Sequence, residues 1–408
     1  MSAKRTAIFN QSRGKQRGVA LMIMLVILVV GIAAILVNSL TSSTVKTARQ
    51  EKTAAALAQA KDALIGYAIT YGDTHSGKVP GYLPCPDTDG NNGLQSEGVG
   101  EYSTSTCNSN PSSNQDVSVI GRLPWVTLDV STLRDGDGEC LWYAVSGTYK
   151  NNPPTGLMNW DTNGQFQAYA SDGTLLASQV VAVIFAPGAP LSGQNQNRSP
   201  NGFAPTCGGN YTATNYLDND TVHHINNWDV VTGKFIQGTS GGTVNDQMLF
   251  ITRQDIWNAI KKRNDFGAFV AKLLQPTMAY LPTTVDFSTT PTPTDNADAT
   301  VGCLRISRLR QGYIYSNDWQ DNVLYARPKS GGACSPLYVN GFPCTYGVVI
   351  FPGERNTGQT RITNTDKNTW SNYLEGANLT TFITGGTSFS GATSYSPASP
   401  STDVLACE

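Results

Sequence analysis

Two acidic loops carry the side chains best suited to hold a hard cation. Asp87-Thr-Asp-Gly-Asn-Asn-Gly93 sets carboxylates at alternating positions before a glycine, as oxygen-rich calcium loops do. It departs from the EF-hand spacing, because Gly98 holds the twelfth position and Glu97 falls one short. Asp135-Gly-Asp-Gly-Glu139 is a second cluster. Calcium is thus the one ligand these residues offer, with Asp87, Asp89, Asp135 and Asp137 as candidate donors. Ordinary Asx turns are the competing reading of both loops.

Other motifs lack the surroundings their chemistry needs. Gly238-Thr-Ser-Gly-Gly242 satisfies the pattern of a hydrolase nucleophile elbow, which requires a strand before it, a helix after it and a histidine late in the chain. Here a strand is expected after it, and the last histidine is His224. The run from Gly72 to Gly77-Lys78 mimics a phosphate loop, but Val79-Pro80 replaces Ser/Thr and a helix is expected before it. His75, His223 and His224 are the only histidines, and none has a Cys or His at ligand spacing. No nucleophile, base and oxyanion donors come together, so an enzyme is not expected.

The eight cysteines, Cys85, Cys107, Cys140, Cys207, Cys303, Cys334, Cys344 and Cys407, include no C-x-x-C pair. That argues against structural zinc and for disulfides in an oxidising compartment such as a periplasm. Buried free thiols are the competing reading. Eight cysteines allow roughly a hundred connectivities. Near-neighbour pairing gives Cys85–Cys107, Cys140–Cys207, Cys334–Cys344 and Cys303–Cys407 as the expectation.

The elements around these residues follow from composition. The chain has 408 residues, 14% of them charged, with 40 Gly and 21 Pro. A formal net charge of −2 gives no field that would gather nucleic acid. With 39% apolar residues the chain buries a core rather than staying disordered. Residues 1–18 hold Lys4, Arg5, Arg13, Lys15 and Arg17 and no acid. Residues 19–37 (VALMIMLVILVVGIAAILV) then carry no charge, a stretch that as a helix is nearly as long as a bilayer core is thick. The basic flank places the remainder across the membrane. The apolar run is too long for an ordinary secretory signal. A plain single-pass membrane-anchored periplasmic protein fits the hydropathy. Residues 46–70 are good helix formers, and Leu57, Ala60, Leu64 and Tyr67 recur at helical spacing, a stripe that packs on a globular body.

The junction Arg17-Gly18-Val19, a basic leader ending in glycine directly before the apolar helix, resembles the leader of type IV pilins and type II secretion pseudopilins. The resemblance implies cleavage by the prepilin peptidase between Gly18 and Val19, with methylation of Val19. It also implies lateral assembly with other pilin or pseudopilin subunits through the N-terminal helix, aided by inner-membrane assembly machinery. The family's usual Glu at the fifth mature position is Ile23 here. Its absence recurs in certain minor subunits, notably one proposed to sit at a filament tip, where no neighbouring amine needs a partner. Calcium is also a recurrent ligand of pseudopilin heads. The implied function is structural, priming or tipping a type IV pilus or a type II secretion pseudopilus. The alternative is a tip-carried adhesin or binding module. The implied location is the bacterial inner membrane, N-terminus cytoplasmic and head periplasmic, or the cell surface in a filament.

The expected fold is α+β: a long N-terminal membrane-spanning helix packed on a large β-rich pilin-like head with a duplicated sheet element. Its parts are a leader (1–18), a transmembrane and packing helix (19–76), a β-rich lobe (77–282) with a helix at 253–275, a Thr/Pro linker (283–300) and a second β-rich lobe (301–408). Thr252 and Asp255 resemble a capping box for that helix. The duplication rests on a shared phrase. Val183-Ile-Phe-Ala-Pro-Gly-Ala-Pro-Leu-Ser-Gly-Gln194 parallels Val349-Ile-Phe-Pro-Gly-Glu-Arg-Asn-Thr-Gly-Gln359, with Arg198 and Arg361 just beyond. Upstream, Leu141-Trp-Tyr-Ala144 parallels Val323-Leu-Tyr-Ala326. Each unit reads as strand, spacer and strand ended by a Pro-Gly turn. Asp318-Trp-Gln-Asp-Asn-Val-Leu-Tyr325 loosely resembles the Asp-Pro-Trp-Gly…Tyr segment of major pseudopilins.

Overall fold

The computed structural model describes residues 16–88, 100, 107, 115–152, 157–196, 207, 209–239, 242–280, 299–308, 316–328 and 335–407. The chain is α+β with a β-rich body. Helix α1 (Gln16–Thr74) has 59 residues and is therefore about 90 Å long. Its C-terminal half obeys the stripe read from the sequence: Leu57, Ala60, Leu64, Ala68 and Tyr71 are buried against the body. The opposite face of that half carries Lys46, Glu51 and Lys52 in solvent.

The expectation of a membrane-spanning helix is corrected here. Among the described residues no helix is long and apolar enough to cross a membrane. Where its side chains are described as a continuous run, from residue 43, α1 is a polar helix with one apolar stripe, shaped to pack on protein. Of the apolar run 19–37 only Met24, Leu25, Leu28 and Val29 have described side chains. Those of Gly18, Val19 and Ile23 lie outside the described residues, as does the leader before residue 16.

The body holds two principal sheets. The first is built from β1 (Val119–Arg122), β2 (Trp142–Val145), β3 (Phe166–Tyr169), β4 (Leu175–Ala186), β7 (Lys234–Ile236) and β8 (Gln247–Thr252). A small separate ribbon pairs β5 (Asn219–Asp220) with β6 (Ile225–Asn226). The second sheet orders its strands β16-β14-β11-β10-β9, all antiparallel, from β9 (Ala299–Val301), β10 (Leu304–Arg308), β11 (Leu324–Pro328), β14 (Val348–Phe351) and β16 (Val404–Cys407). Against it lies a third, smaller sheet of β12 (Leu337–Val339), β13 (Phe342–Cys344) and β15 (Ser388–Phe389).

The two large sheets share a four-stranded antiparallel framework, β1-β2-β4-β8 in one and β10-β11-β14-β16 in the other. Register shows the correspondence. Tyr143 faces Ile184 and Tyr325 faces Val349, while Trp142 faces Phe185 and Leu324 faces Ile350. On the far edge Ile184 meets Leu249 and Val349 meets Ala406. The duplicated element is therefore present, with one adjustment. The copies align backward from Pro187-Gly188 and Pro352-Gly353, so Val349 corresponds to Ile184 rather than to Val183. A one-residue slip would put every side chain on the wrong face.

Both faces of these strands are buried, which is why they read as unbroken apolar runs rather than alternating ones. The inner faces, with Tyr143 and Ile184 from one sheet and Tyr325 and Val349 from the other, join a single core with α1, α2 (Arg253–Lys261) and α3 (Phe266–Tyr280). Trp319 is wholly buried at its centre, with ring centroids 5.1 Å from Trp160, 5.6 Å from Trp257 and 5.8 Å from Phe351. The segment 318–325 thus wedges an aromatic between the two halves. The outer faces pack into two further cores, one around Trp142 and Phe185, the other around Leu324 and Ile350.

The single helix expected at 253–275 is two helices broken at 262–265. Thr252 and Asp255 do form the capping box. The break is held by Arg263, whose guanidinium bonds both Asp73 of α1 and Asp265, 2.7 Å from each. The linker expected at 283–300 falls mostly on 281–298, outside the described residues, and its last two residues belong to β9.

Candidate functional site: the helix-docking face and the twin polar clusters

The C-terminal half of α1 is fastened to the body along its length. Arg49 pairs with Asp137 at 2.9 Å, and the Gly136 amide donates to Thr53 Oγ1 at 2.9 Å. Lys61 reaches Asp255 at 3.2 Å and the Phe250 carbonyl at 3.1 Å. Asn151 donates to the Tyr67 hydroxyl at 3.0 Å, and Arg263 to the Ile69 carbonyl at 2.7 Å. Burial opposes it, but hydrogen bonds from Thr252 and the Lys61 ammonium hold the Asp255 carboxyl below its ordinary value. His75 stacks on Tyr71 with centroids 3.9 Å apart, so it serves as the end of this seam.

The second acidic loop takes part in this seam. Asp135 Oδ1 accepts the amides of Asp137 and Glu139, both at 2.9 Å, and its Oδ2 accepts that of Gly188 at 2.8 Å. A carboxylate saturated by backbone donors organises a turn. That turn brings Asp137 to Arg49 and Gly136 against the helix backbone, so the loop is a dock for α1. Asp87 pairs through its backbone with Arg122 and through its carboxylate with the Tyr211 hydroxyl at 3.2 Å. Asp89 lies outside the described residues. Among the described residues no group of three His, Cys, Asp or Glu could hold a metal ion. Most of the first loop, residues 89–99, lies outside the described residues, so calcium binding there stays an expectation.

Ser240 of the Gly-Thr-Ser-Gly-Gly run lies outside the described residues, and the strand expected after it is β8. His223 pairs with Asp220 three residues before it. Lys78 lines a cleft of about 340 Å³ at the end of α1 whose guanidinium, Arg263, is already held by Asp73 and Asp265. Of the expected disulfides, Cys85–Cys107 and Cys140–Cys207 are present. The third joins Cys344 to Cys407, because β14 and β13 bring Cys344 beside the last strand, so neither Cys334–Cys344 nor Cys303–Cys407 forms. Cys303 is also disulfide-bonded, and Cys334 lies outside the described residues.

Two polar clusters recur at matching points of the duplicated framework, and the shared phrase reached only one corner of them. The first centres on a buried arginine. Arg122 and Arg308 end β1 and β10, opposite Trp142 and Leu324. Arg122 faces Glu139 at 3.7 Å and stacks over Tyr216 at 5.0 Å, while Arg308 pairs with Asp321 at 2.8 Å. Each acid lies three residues before the matching strand position. Tyr373, the counterpart of Tyr216, is instead covered by Arg361 at 4.5 Å. Arg361 and Arg355 also hold Asp161 of the first lobe at 3.4 and 2.8 Å, tying the lobes together. Arg198 lies outside the described residues.

The second cluster begins at the Gly-Gln turn. Gly193 and Gly358 both sit at φ +92°, a left-handed conformation that favours glycine. Gln194 Oε1 accepts the Leu191 amide and Gln359 Oε1 the Asn356 amide, each at 2.8 Å. Gln194 Nε2 then donates to Asp218 at 2.8 Å and Gln359 Nε2 to Glu375 at 2.6 Å. Those acids end the segments Asn215-Tyr-Leu-Asp218 and Asn372-Tyr-Leu-Glu375. Asp246 and Asp403, each just before the closing strand, complete the pairs. An extended alignment of the two phrases would have found this signal; the long, unlike insertions between its parts hide it.

No family model, curated protein or solved structure matches the chain.

Proposed function

We infer that the chain is a minor pilin-like or pseudopilin-like structural subunit, joined to other such subunits through the N-terminal part of α1. The observation that carries this reading is the divided character of that helix. Arg49 is tied to the body by Asp137, whereas Met24, Leu25, Leu28 and Val29 are 55–77% exposed. Their spacing places them on one helical face. An apolar face displayed by a protruding helix is suited to packing against like helices. The basic leader ending at Gly18 supports processing by the prepilin peptidase, and the disulfide-bonded head supports an oxidising compartment. Ile23 in place of Glu supports a priming or tip position, where no partner amine requires a carboxylate.

Cross-linking tests the assembly role. Leu28→Cys, expressed with the companion subunits and assembly machinery, is expected to cross-link to another pilin-type subunit at low copy number. A helix that yields no inter-subunit product under conditions where a companion subunit does contradicts the reading.

A further inference from the structure

The second polar cluster holds two carboxyl groups in each repeat, Asp218 with Asp246 and Glu375 with Asp403. Asp246 Oδ2 accepts the Asp218 amide at 2.7 Å and Asn227 Nδ2 at 2.9 Å. Asp403 Oδ2 accepts Asn378 Nδ2 at 3.0 Å. The remaining oxygen, Oδ1 in both residues, is buried with no hydrogen-bond partner among the described residues. Asp246 is wholly buried and Asp403 is 6% exposed. The charged group facing Asp246 is Asp218; those facing Asp403 are Glu375 and, opposing it, Arg361. Two ionised carboxylates repel in a dry interior, whereas a proton on the buried Asp246 or Asp403 removes that charge and the cost of burying it.

We propose that each repeat retains a buried proton on its carboxyl pair, and that losing it as pH rises loosens the junction between the Gly-Gln turn and the closing strand. The same latch is thus built twice, once per sheet, and is closed in mild acid. Burial supports this by raising Asp403 to about 7 and pushing Asp218 and Asp246 upward, Asp246 further through the charge of Asp218. The sign follows from linkage. An acid whose folded value is raised stabilises the fold fully below its unfolded value near pH 4 and loses that contribution as pH climbs through the folded value. For Asp403 the window therefore closes at about pH 7.

Urea unfolding of the intact, oxidised chain across this range tests the latch, with Asp246→Asn and Asp403→Asn beside the wild type. Asn keeps the shape of a protonated acid but cannot titrate. In the wild type the unfolding constant is expected to rise with pH, by up to about tenfold per unit for each proton released. Each variant is expected to lose its own share of that slope. A slope unchanged in both variants overturns the proposal, and one lost in a single variant overturns it for the other repeat. Where the variants do not fold, infrared spectra of the wild type decide. A buried carboxylic-acid band at about pH 6 that fades as pH rises is expected, and its absence at that pH overturns the latch.

Discussion

At the scale of single residues, the α1 seam depends on one glycine. A Cβ on Gly136 would lie 2.2 Å from the Arg49 carbonyl oxygen, a clash with backbone that no rotamer relieves. Gly136→Ala must therefore push the acidic turn away from the helix. That also separates Asp137 from Arg49 and the Gly136 amide from Thr53. The exposed ion pair contributes little by itself. The forced displacement of packed backbone is expected to cost about 1–3 kcal/mol. Urea unfolding measures it, and a Gly136→Ala chain as stable as the wild type contradicts the docking role given to this loop.

At the scale of elements, the proposed function gives the two halves of α1 different roles. Leu64 is wholly buried between the helix and the body, so Leu64→Ala is expected to destabilise the head by about 2–4 kcal/mol. Leu28 is 61% exposed, so Leu28→Ala is expected to leave head stability within about 0.5 kcal/mol while weakening incorporation beside other subunits. Unfolding and co-purification on the same two variants separate the functions; equal losses of stability would contradict the division. The packing stripe was legible in the sequence because Leu57, Ala60, Leu64 and Tyr67 follow helical periodicity, which local spacing reveals. The break between α2 and α3 was not, because it is made by Arg263 reaching Asp73, 190 residues away in sequence. The acidic loops looked like ligand loops because carboxylates at alternating positions serve turns and cations alike. At Asp135 the carboxylate contacts three amides, which shows its part in the turn.

At the scale of the whole molecule, the head is two copies of one antiparallel framework joined face to face around Trp319, with α1 laid along the shared core. The Pro-Gly and Gly-Gln phrases made the duplication visible in sequence. Its register, and the buried arginines and carboxyl pairs that accompany it, became visible only when strands distant in sequence were placed side by side. The proposed function has this disulfide-bonded head carried in a larger assembly through the N-terminal part of α1. The most direct measurement of that claim is the N-terminus of the protein in cells with an active prepilin peptidase. Sequencing or intact mass is expected to find a mature chain beginning at Val19, and Gly18→Leu is expected to block that processing. A chain that keeps Met1 beside an active peptidase, or is cut elsewhere, would contradict the pilin-like account.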